Sequence, residues 1–186
     1  MPSSLDKLYQ KTLEILKKEK IPYLLIGGLA VGILGEPRMT QDIDLILYIP
    51  KSAVAAFLKG LKKEHFSFNP AMTQNDLELK GAFRISYGNL WVDFIVASTN
   101  FETSAFKRKL KIKLLGKEVN IPSPEDLILL KLIPGRERDI LDIKSIIERH
   151  RTKLDMRYLE NWAQKLSDDA EDLRIWNTLK KLLLTR

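Results

Sequence analysis

The chain has 186 residues, of which 45% are hydrophobic and 30% are charged, a composition typical of globular proteins and too apolar for a disordered chain. It contains no cysteine, which excludes a disulfide scaffold, a thiol nucleophile and a cysteine zinc site. Lysine and arginine outnumber the acids by 31 to 24, and the resulting net charge of +7 favours polyanionic partners.

The chain begins with an amphipathic pattern followed by a short apolar run. Apolar residues at helical spacing predict a first helix over residues 5–16, with Ser3 or Ser4 as its N-cap. The wholly apolar segment Tyr23–Ile26 is typical of a buried strand.

A glycine pair, Gly27-Gly28, ends this strand, and the apolar residues 29–34 predict a short buried helix after it. The whole apolar run, residues 21–35, is shorter than the roughly 20 residues that a membrane-spanning helix needs. We also find no signal-peptide pattern. The sequence therefore predicts a soluble cytoplasmic protein with no membrane partner.

The middle of the chain predicts two further strands and a helix. Residues 42–48 resemble a second buried strand, and Ser52 is the predicted N-cap of a helix that ends near residue 63. Residues 64–80 show no clear periodicity. Ala82–Tyr87 and residues 90–97 predict a hairpin closed by a two-residue turn.

Lysines and apolar residues alternate over residues 109–115, which predicts a strand at a sheet edge with a solvated face. The lysines of that face are Lys109, Lys111 and Lys113. This face could bind a nucleic-acid backbone, or it could only protect the edge from aggregation. The tryptophans Trp91, Trp162 and Trp176 lie in apolar patterns, which predicts core positions for them.

The last third of the chain is helical in pattern. Ser123 followed by Pro124 and two acids is a strong helix start, and amphipathic spacing continues to the end. Strands in the first two thirds and helices in the last third predict an α+β protein. We expect one domain over residues 1–121 and a C-terminal helical annex over residues 122–186.

Three aspartates interrupt apolar strands. Asp42 and Asp44 flank Ile43, and because residues i and i+2 of a strand share a face, their carboxylates should lie on the same side of the sheet. Asp93 lies in the middle of another apolar strand. Burying lone carboxylates is costly. A divalent cation would offset that cost, and an all-carboxylate donor set predicts Mg²⁺ or Mn²⁺.

The Gly27-Gly28 turn precedes a helix, and backbone N–H groups at such a turn can bind phosphate. A phosphate cradle beside a carboxylate-bound metal is typical of phosphoryl or nucleotidyl transfer. Taken alone, however, a glycine pair is also a common tight turn, and a strand aspartate can simply reach solvent.

The order and spacing of these elements resemble a known signature. A Gly-Gly pair at residues 27–28, thirteen intervening residues and then Asp-Ile-Asp at residues 42–44 are similar to the nucleotidyltransferase (DNA polymerase β-like) superfamily signature. Asp93 resembles its third carboxylate. The longer string over residues 27–44 and the segment 122–142 resemble the branch that contains the AbiEii-type toxins.

The resemblance covers about residues 21–145 and implies a polymerase β-like core with a mixed sheet. It implies an enzyme that transfers a nucleoside monophosphate from an NTP to a hydroxyl group with Mg²⁺ or Mn²⁺. Asp42 and Asp44 would hold the metal, and Asp93 would complete the metal site and help to deprotonate the hydroxyl. Gly27 and Gly28 would cradle the phosphates.

Three further residues are candidates for nucleotide binding. The resemblance makes Lys131 a phosphate ligand, although the residue could also be an exposed lysine whose stem covers apolar surface. Arg38 and Thr40 precede the acid pair in a loop that could reach a triphosphate or remain solvated.

The branch resemblance also implies biological partners. It points to an RNA acceptor, in particular tRNA, and to a toxin with a cognate antitoxin in a toxin-antitoxin or abortive-infection system. Two alternatives stay open. One is a catalytically silent nucleotide-binding or antitoxin-like partner module, and the other is nucleotidylation of a protein or a small molecule.

Overall fold

The computed structural model describes residues 4–184. Over this range the chain forms nine helices and six strands. The helices are α1 (Ser4–Lys18), α2 (Gly27–Leu34), α3 (Lys51–Lys63), α4 (Pro70–Lys80), α5 (Asn100–Lys107), α6 (Pro124–Leu132), α7 (Glu137–His150), α8 (Met156–Asp169) and α9 (Arg174–Leu184). The strands are β1 (Tyr23–Ile26), β2 (Asp42–Leu47), β3 (Ala82–Tyr87), β4 (Leu90–Val96), β5 (Leu110–Leu114) and β6 (Lys117–Ile121).

The residues group into two compact units. The first contains the residues up to Leu29 together with Met39–Ile121, and the second contains Ala30–Arg38 together with the residues from Pro122 onwards. No helix within the described residues is long and apolar enough to cross a bilayer.

The first unit is built on a mixed sheet. Its described strands follow the order β1-β2-β4-β3, with β2 and β4 parallel and the two outer pairs antiparallel. The predicted α+β class with a mixed sheet is therefore confirmed. β5 and β6 form a separate antiparallel hairpin. Among the described strands, β5 pairs with β6 and with no other, so its second edge is unpaired.

One face of the mixed sheet is a hydrophobic core. Its alternate residues on β2, β3 and β4 are almost wholly buried, and these are Ile43, Leu45, Phe83, Ile85, Val92 and Phe94. Phe57 of α3 contacts Phe94 edge to face, with ring centroids 5.4 Å apart, so α3 covers this side. Each fully buried side chain of this size contributes about 1.5–3 kcal/mol. The core consequently fixes which residues point away from it.

Helix α4 occupies most of the segment for which the sequence showed no clear pattern. Asn69 caps it, since its side chain accepts a hydrogen bond from the Met72 amide at 3.1 Å, and Pro70 occupies the first turn. Gly81 ends the helix in the left-handed conformation, with φ of 64°. The capping residues at both ends are typical helix signals, but the apolar periodicity between them is too weak to predict a helix.

Two other local predictions need correction. The predicted N-cap Ser52 is wrong, because α3 already begins at Lys51 and Pro50 holds the cap position without a side-chain hydrogen bond. Strand β6 was not predicted, and it pairs with β5 in register. The alternative N-cap Ser3 lies outside the described residues.

The second unit is built around α6. Four apolar residues of this helix are fully buried, and they are Leu127, Ile128, Leu129 and Leu132. Ser123 caps the helix, as predicted, and its hydroxyl also donates to the carboxylate of the buried Asp126 at 2.8 Å. Tyr158 of α8 donates to the same carboxylate at 2.6 Å. A buried hydrogen-bonded acid therefore ties α8 to α6.

A buried tyrosine, Tyr9, and a half-buried one, Tyr158, should respond differently to the loss of their hydroxyl groups. The Tyr9 hydroxyl is buried and has no hydrogen-bond partner within the described residues, and burial raises its pKa. Tyr9→Phe should leave the free energy of unfolding unchanged or raise it by about 1 kcal/mol, whereas Tyr158→Phe should lower it by about 1.5–3 kcal/mol. Urea unfolding of both variants measures this. Equal losses would show that the Tyr9 hydroxyl is satisfied in solution.

Candidate active site

The three predicted aspartates lie on the open face of the mixed sheet. β2 and β4 run parallel with Asp44 beside Asp93 and Asp42 beside Trp91. Because the neighbouring residues Ile43 and Val92 point into the core, the aspartates point away from it. Adjacent strands lie only about 4.8 Å apart, so three carboxylates share a small area of this face.

An arginine that the sequence analysis missed lies among these carboxylates. Arg84 of β3 is directly opposite Asp93 in the antiparallel pair β3–β4. Its guanidinium donates to both carboxylate oxygens of Asp93 at 2.6 Å and lies 3.6 Å from Asp42. The hydrogen bonds to Asp93, with the charges of Asp93, Asp42 and Asp44, hold the pKa of Arg84 above its usual value.

Trp91 is beside this cluster, and the prediction that it belongs to the core is wrong. It is 41% exposed, because it shares the open face with Asp93, two residues along β4. The Arg84 guanidinium carbon lies 5.7 Å from the centre of its ring, within the range of a cation–π contact. Trp162 and Trp176 are half-buried.

Gly27 is required by the position of Asp44. Its φ of +65° is left-handed, and a Cβ atom added there would collide with the Asp44 carboxylate. Ile26 is the register partner of Asp44, so the end of β1 brings the glycine turn against this aspartate. Gly28 is buried in the first turn of α2. The predicted phosphate-binding turn and the predicted metal ligand are therefore in contact.

The donor set can be compared with what a divalent cation needs. Carboxylate oxygens are the ligands that Mg²⁺ and Mn²⁺ prefer. Within residues 4–184, no group of three or more His, Asp or Glu side chains stands ready to hold a metal ion. The guanidinium of Arg84 already lies among the carboxylates. The residues consequently fit a divalent cation in the type of their donor atoms, and Arg84 is the cation that lies among them in this structure.

The remaining predicted nucleotide-binding residues are each engaged. Thr40, in the first unit, donates to the backbone carbonyl of Asp42 at 3.2 Å. In the second unit, Arg38 donates to both oxygens of Asp142 at 2.8 and 3.0 Å. Lys131 lies 3.0 Å from Asp139 and 2.9 Å from Asp142.

These four residues of the second unit form a neutral cluster, which we call the α6–α7 charge cluster: Arg38, Lys131, Asp139 and Asp142. The Lys131 side chain is only 12% exposed and that of Asp142 only 4%. The interpretation of Lys131 as an exposed lysine is therefore wrong. Burial alone would raise the pKa of Asp142, but hydrogen bonds and charge from Arg38 and Lys131 outweigh it and lower that pKa.

The fold and the site together define a class. A mixed sheet with Asp-x-Asp on one strand and a third aspartate beside it on a parallel strand is the core expected of a polymerase β-like nucleotidyltransferase. The chain matches the family described as nucleotidyltransferase of unknown function (DUF6036) over residues 3–183, and it belongs to that family. No curated protein matches the sequence significantly.

Solved structures show the same fold. The chain is similar to the solution structure of the antibiotic-resistance factor ANT(2″)-Ia, with a TM-score of 0.62 and 15% identity over 89% of this chain and 94% of that chain. It is also similar to the lincomycin-bound lincosamide antibiotic adenylyltransferase LnuA, with a TM-score of 0.54 and 15% identity over 76% and 95% of the two chains. At these identities the likeness shows the fold. The predicted superfamily is confirmed, and the resemblance to the AbiEii-type branch stays a prediction.

Proposed function

We propose that this protein is a metal-dependent nucleotidyltransferase that transfers a nucleoside monophosphate from an NTP to a hydroxyl group. The observation that carries the proposal is the alignment of Asp42, Asp44 and Asp93 on one open face of two parallel strands. Family membership supports the reaction class. The contact between Gly27 and Asp44 supports a phosphate site beside the acids.

Each residue has a role in this proposal. Asp42 and Asp44 would hold Mg²⁺ or Mn²⁺, which when bound neutralises phosphate charge and acts as a Lewis acid. The backbone N–H groups at Gly27 and Gly28 would orient the triphosphate. Asp93 would accept the proton of the acceptor hydroxyl.

The proposed reaction is a displacement at the α-phosphorus. The hydroxyl oxygen forms a bond to this phosphorus, and the bond between it and the oxygen that bridges to the β-phosphate breaks. The hydroxyl proton moves to the Asp93 carboxylate, and pyrophosphate leaves. The residues of this site position the two reactants and balance their charge, which is how phosphoryl-group enzymes obtain most of their rate enhancement.

Arg38 and Lys131 have a demonstrable local role and a proposed further one. Both neutralise buried carboxylates of the second unit. We therefore assign them first to the stability of that unit. Their predicted contacts with the phosphates, and that of Thr40, remain part of the proposal.

We propose an RNA acceptor, such as a tRNA end, and a toxin with a cognate antitoxin as the biological setting. The net charge of +7 supports this acceptor, as do three exposed lysines, Lys109 directly before strand β5 and Lys111 and Lys113 within it. Glu118 neutralises part of this surface, because it lies 3.3 Å from Lys111. The AbiEii-type resemblance supports the toxin setting.

A small-molecule acceptor is the second candidate. ANT(2″)-Ia has been crystallised with adenylyl-2″-tobramycin, and that structure has a TM-score of 0.56 with this chain at 15% identity. An aminoglycoside is cationic, so a chain of charge +7 attracts it less than it attracts RNA.

The test combines a chemical readout with a choice of acceptors. Each NTP, labelled at the α-phosphate, is incubated with the full chain and Mg²⁺ or Mn²⁺, beside total RNA, total protein or a panel of aminoglycosides. We expect pyrophosphate release and label in RNA, and neither with Asp44→Asn. Label only in protein or only in an antibiotic would overturn the RNA acceptor and leave the chemistry standing. No pyrophosphate under any condition would favour the catalytically silent module.

A further inference from the structure

Arg84 and Asp93 form a two-donor ion pair on the open face of the sheet. Both oxygens of Asp93 accept hydrogen bonds from Arg84 at 2.6 Å, and Asp42 lies 3.6 Å away. The arginine side chain is 51% exposed, so solvent and ions reach the pair. A two-donor arginine–carboxylate pair is one of the stronger kinds of surface ion pair, so a second cation can bind Asp93 only in competition with it.

Arg84 alone does not balance the charges of these aspartates. Asp42, Asp44 and Asp93 carry three negative charges, and Arg84 supplies one positive charge. The four residues taken together have a charge of −2, equal in size to the charge of one divalent cation. The arginine thus compensates the cluster only in part.

We propose that Arg84 is the resident cation of this carboxylate cluster, and that a divalent metal ion binds there by displacing its guanidinium from Asp93. This inference rests on the metal site of the proposed function. Arg84 engages both oxygens of Asp93, so a metal ion that approaches this carboxylate meets the positive charge of the guanidinium and competes with its two hydrogen bonds. The affinity for the metal ion is then set by competition between that ion and the Arg84 guanidinium for the Asp93 carboxylate. Arg84 acts as a positioning residue for Asp93.

Trp91 gives the displaced guanidinium a second contact. The guanidinium carbon is 5.7 Å from the ring centre, and such a cation–π contact is retained when the charge moves a short distance over the ring. Displacement should therefore change the surroundings of Trp91 while the arginine stays nearby. The fluorescence of the Trp91 indole can therefore report the displacement of the guanidinium.

The experiment is a Mn²⁺ titration of the full, nucleotide-free chain, with free Mn²⁺ measured by electron paramagnetic resonance. We compare wild type with Arg84→Gln and, as a matched control, with Arg157→Gln, which removes the same charge from an exposed position on α8. Arg84→Gln should bind Mn²⁺ about tenfold more tightly, since one unit charge about 6 Å from a divalent ion changes affinity by that order in water. Arg157→Gln should match wild type.

Two further measurements guard against a purely structural effect. Arg84→Lys keeps the charge but loses the two-donor fork, so its affinity should lie between those of wild type and Arg84→Gln. Saturating Mn²⁺ or Mg²⁺ should change the tryptophan fluorescence of wild type, and the Mg²⁺ change should be absent in Trp91→Phe. If Arg84→Gln is too unstable to purify, the same comparison is made with Arg84→Lys.

The outcomes separate this inference from the function on which it rests. Equal or weaker Mn²⁺ binding by Arg84→Gln would overturn the role of Arg84 and leave the metal site standing. No Mn²⁺ binding by any form, with or without NTP, would overturn the metal site and this inference with it. Equally tighter binding by Arg84→Gln and Arg157→Gln would show a general charge effect and would also overturn the role of Arg84.

Discussion

Replacing Gly27 by alanine is expected to disable the candidate site while most of the fold survives. The left-handed backbone at this position, with φ of +65°, disfavours any residue that has a Cβ, at about 1–2 kcal/mol. The added Cβ would also collide with the Asp44 carboxylate, and relieving such overpacking costs about 1–3 kcal/mol more. Asp44 would be pushed from its place beside Asp93, so binding of Mn²⁺ and of Mg²⁺-NTP should be lost.

Gly88→Ala is the matched control for this variant. Gly88 has nearly the same φ, +61°, but an added Cβ there meets no atom within 4 Å. It therefore measures the cost of the left-handed backbone alone. Urea unfolding and isothermal titration with Mg²⁺-NTP compare the two variants. If both variants lose the same stability and both bind NTP like wild type, the Asp44 carboxylate does not contact Gly27 in solution. The proposed arrangement of the site would then be wrong.

Local sequence patterns were sufficient to predict the central strands of the first unit. Asp42, Ile43 and Asp44 alternate between polar and apolar, and that alternation places both acids on one face whatever the rest of the sheet does. A Gly88-Asn89 turn fixes the β3–β4 hairpin. These features depend only on neighbours in sequence, and for that reason they could be predicted.

Arg84 could have been predicted from the same hairpin. A two-residue turn pairs Tyr87 with Leu90, and stepping outward three residues on each strand pairs Arg84 with Asp93. Like Asp93, the arginine is a lone charge in an apolar strand. The rule that marks Asp93 as a functional candidate therefore marks Arg84 as well.

The contacts of the α6–α7 charge cluster could not be predicted. Arg38 meets Asp142 across 104 residues of chain, and no local pattern specifies such a pair. The exposure of Trp91, by contrast, could have been predicted, because the residue lies two positions from Asp93 on β4 and strand alternation puts both side chains on the same face.

The second large effect should follow from removing the lysine of the charge cluster. Lys131→Met should lower the free energy of unfolding at pH 7 by about 3–5 kcal/mol, because it leaves buried carboxylates without their cation. Asp139 would lose its ion pair, and Asp142 would retain only Arg38. Urea unfolding followed by circular dichroism measures the loss. The matched control is Lys144→Met, an exposed lysine of α7, whose effect should stay near zero.

The pH dependence of this loss identifies its origin. Arg38 and Lys131 lower the pKa of Asp142 below its usual 3.8 in the folded state. A lowered folded-state pKa adds stability that is fully present above the unfolded pKa and is lost as pH falls through the folded one. The wild type therefore loses this stabilisation below about pH 4, and the deficit of Lys131→Met should shrink over the same range. A deficit that is constant from pH 7 to pH 3 would mean that Lys131 stabilises by packing and not by charge. In that case the interpretation of α6 and α7 as joined by a buried charge cluster would be wrong.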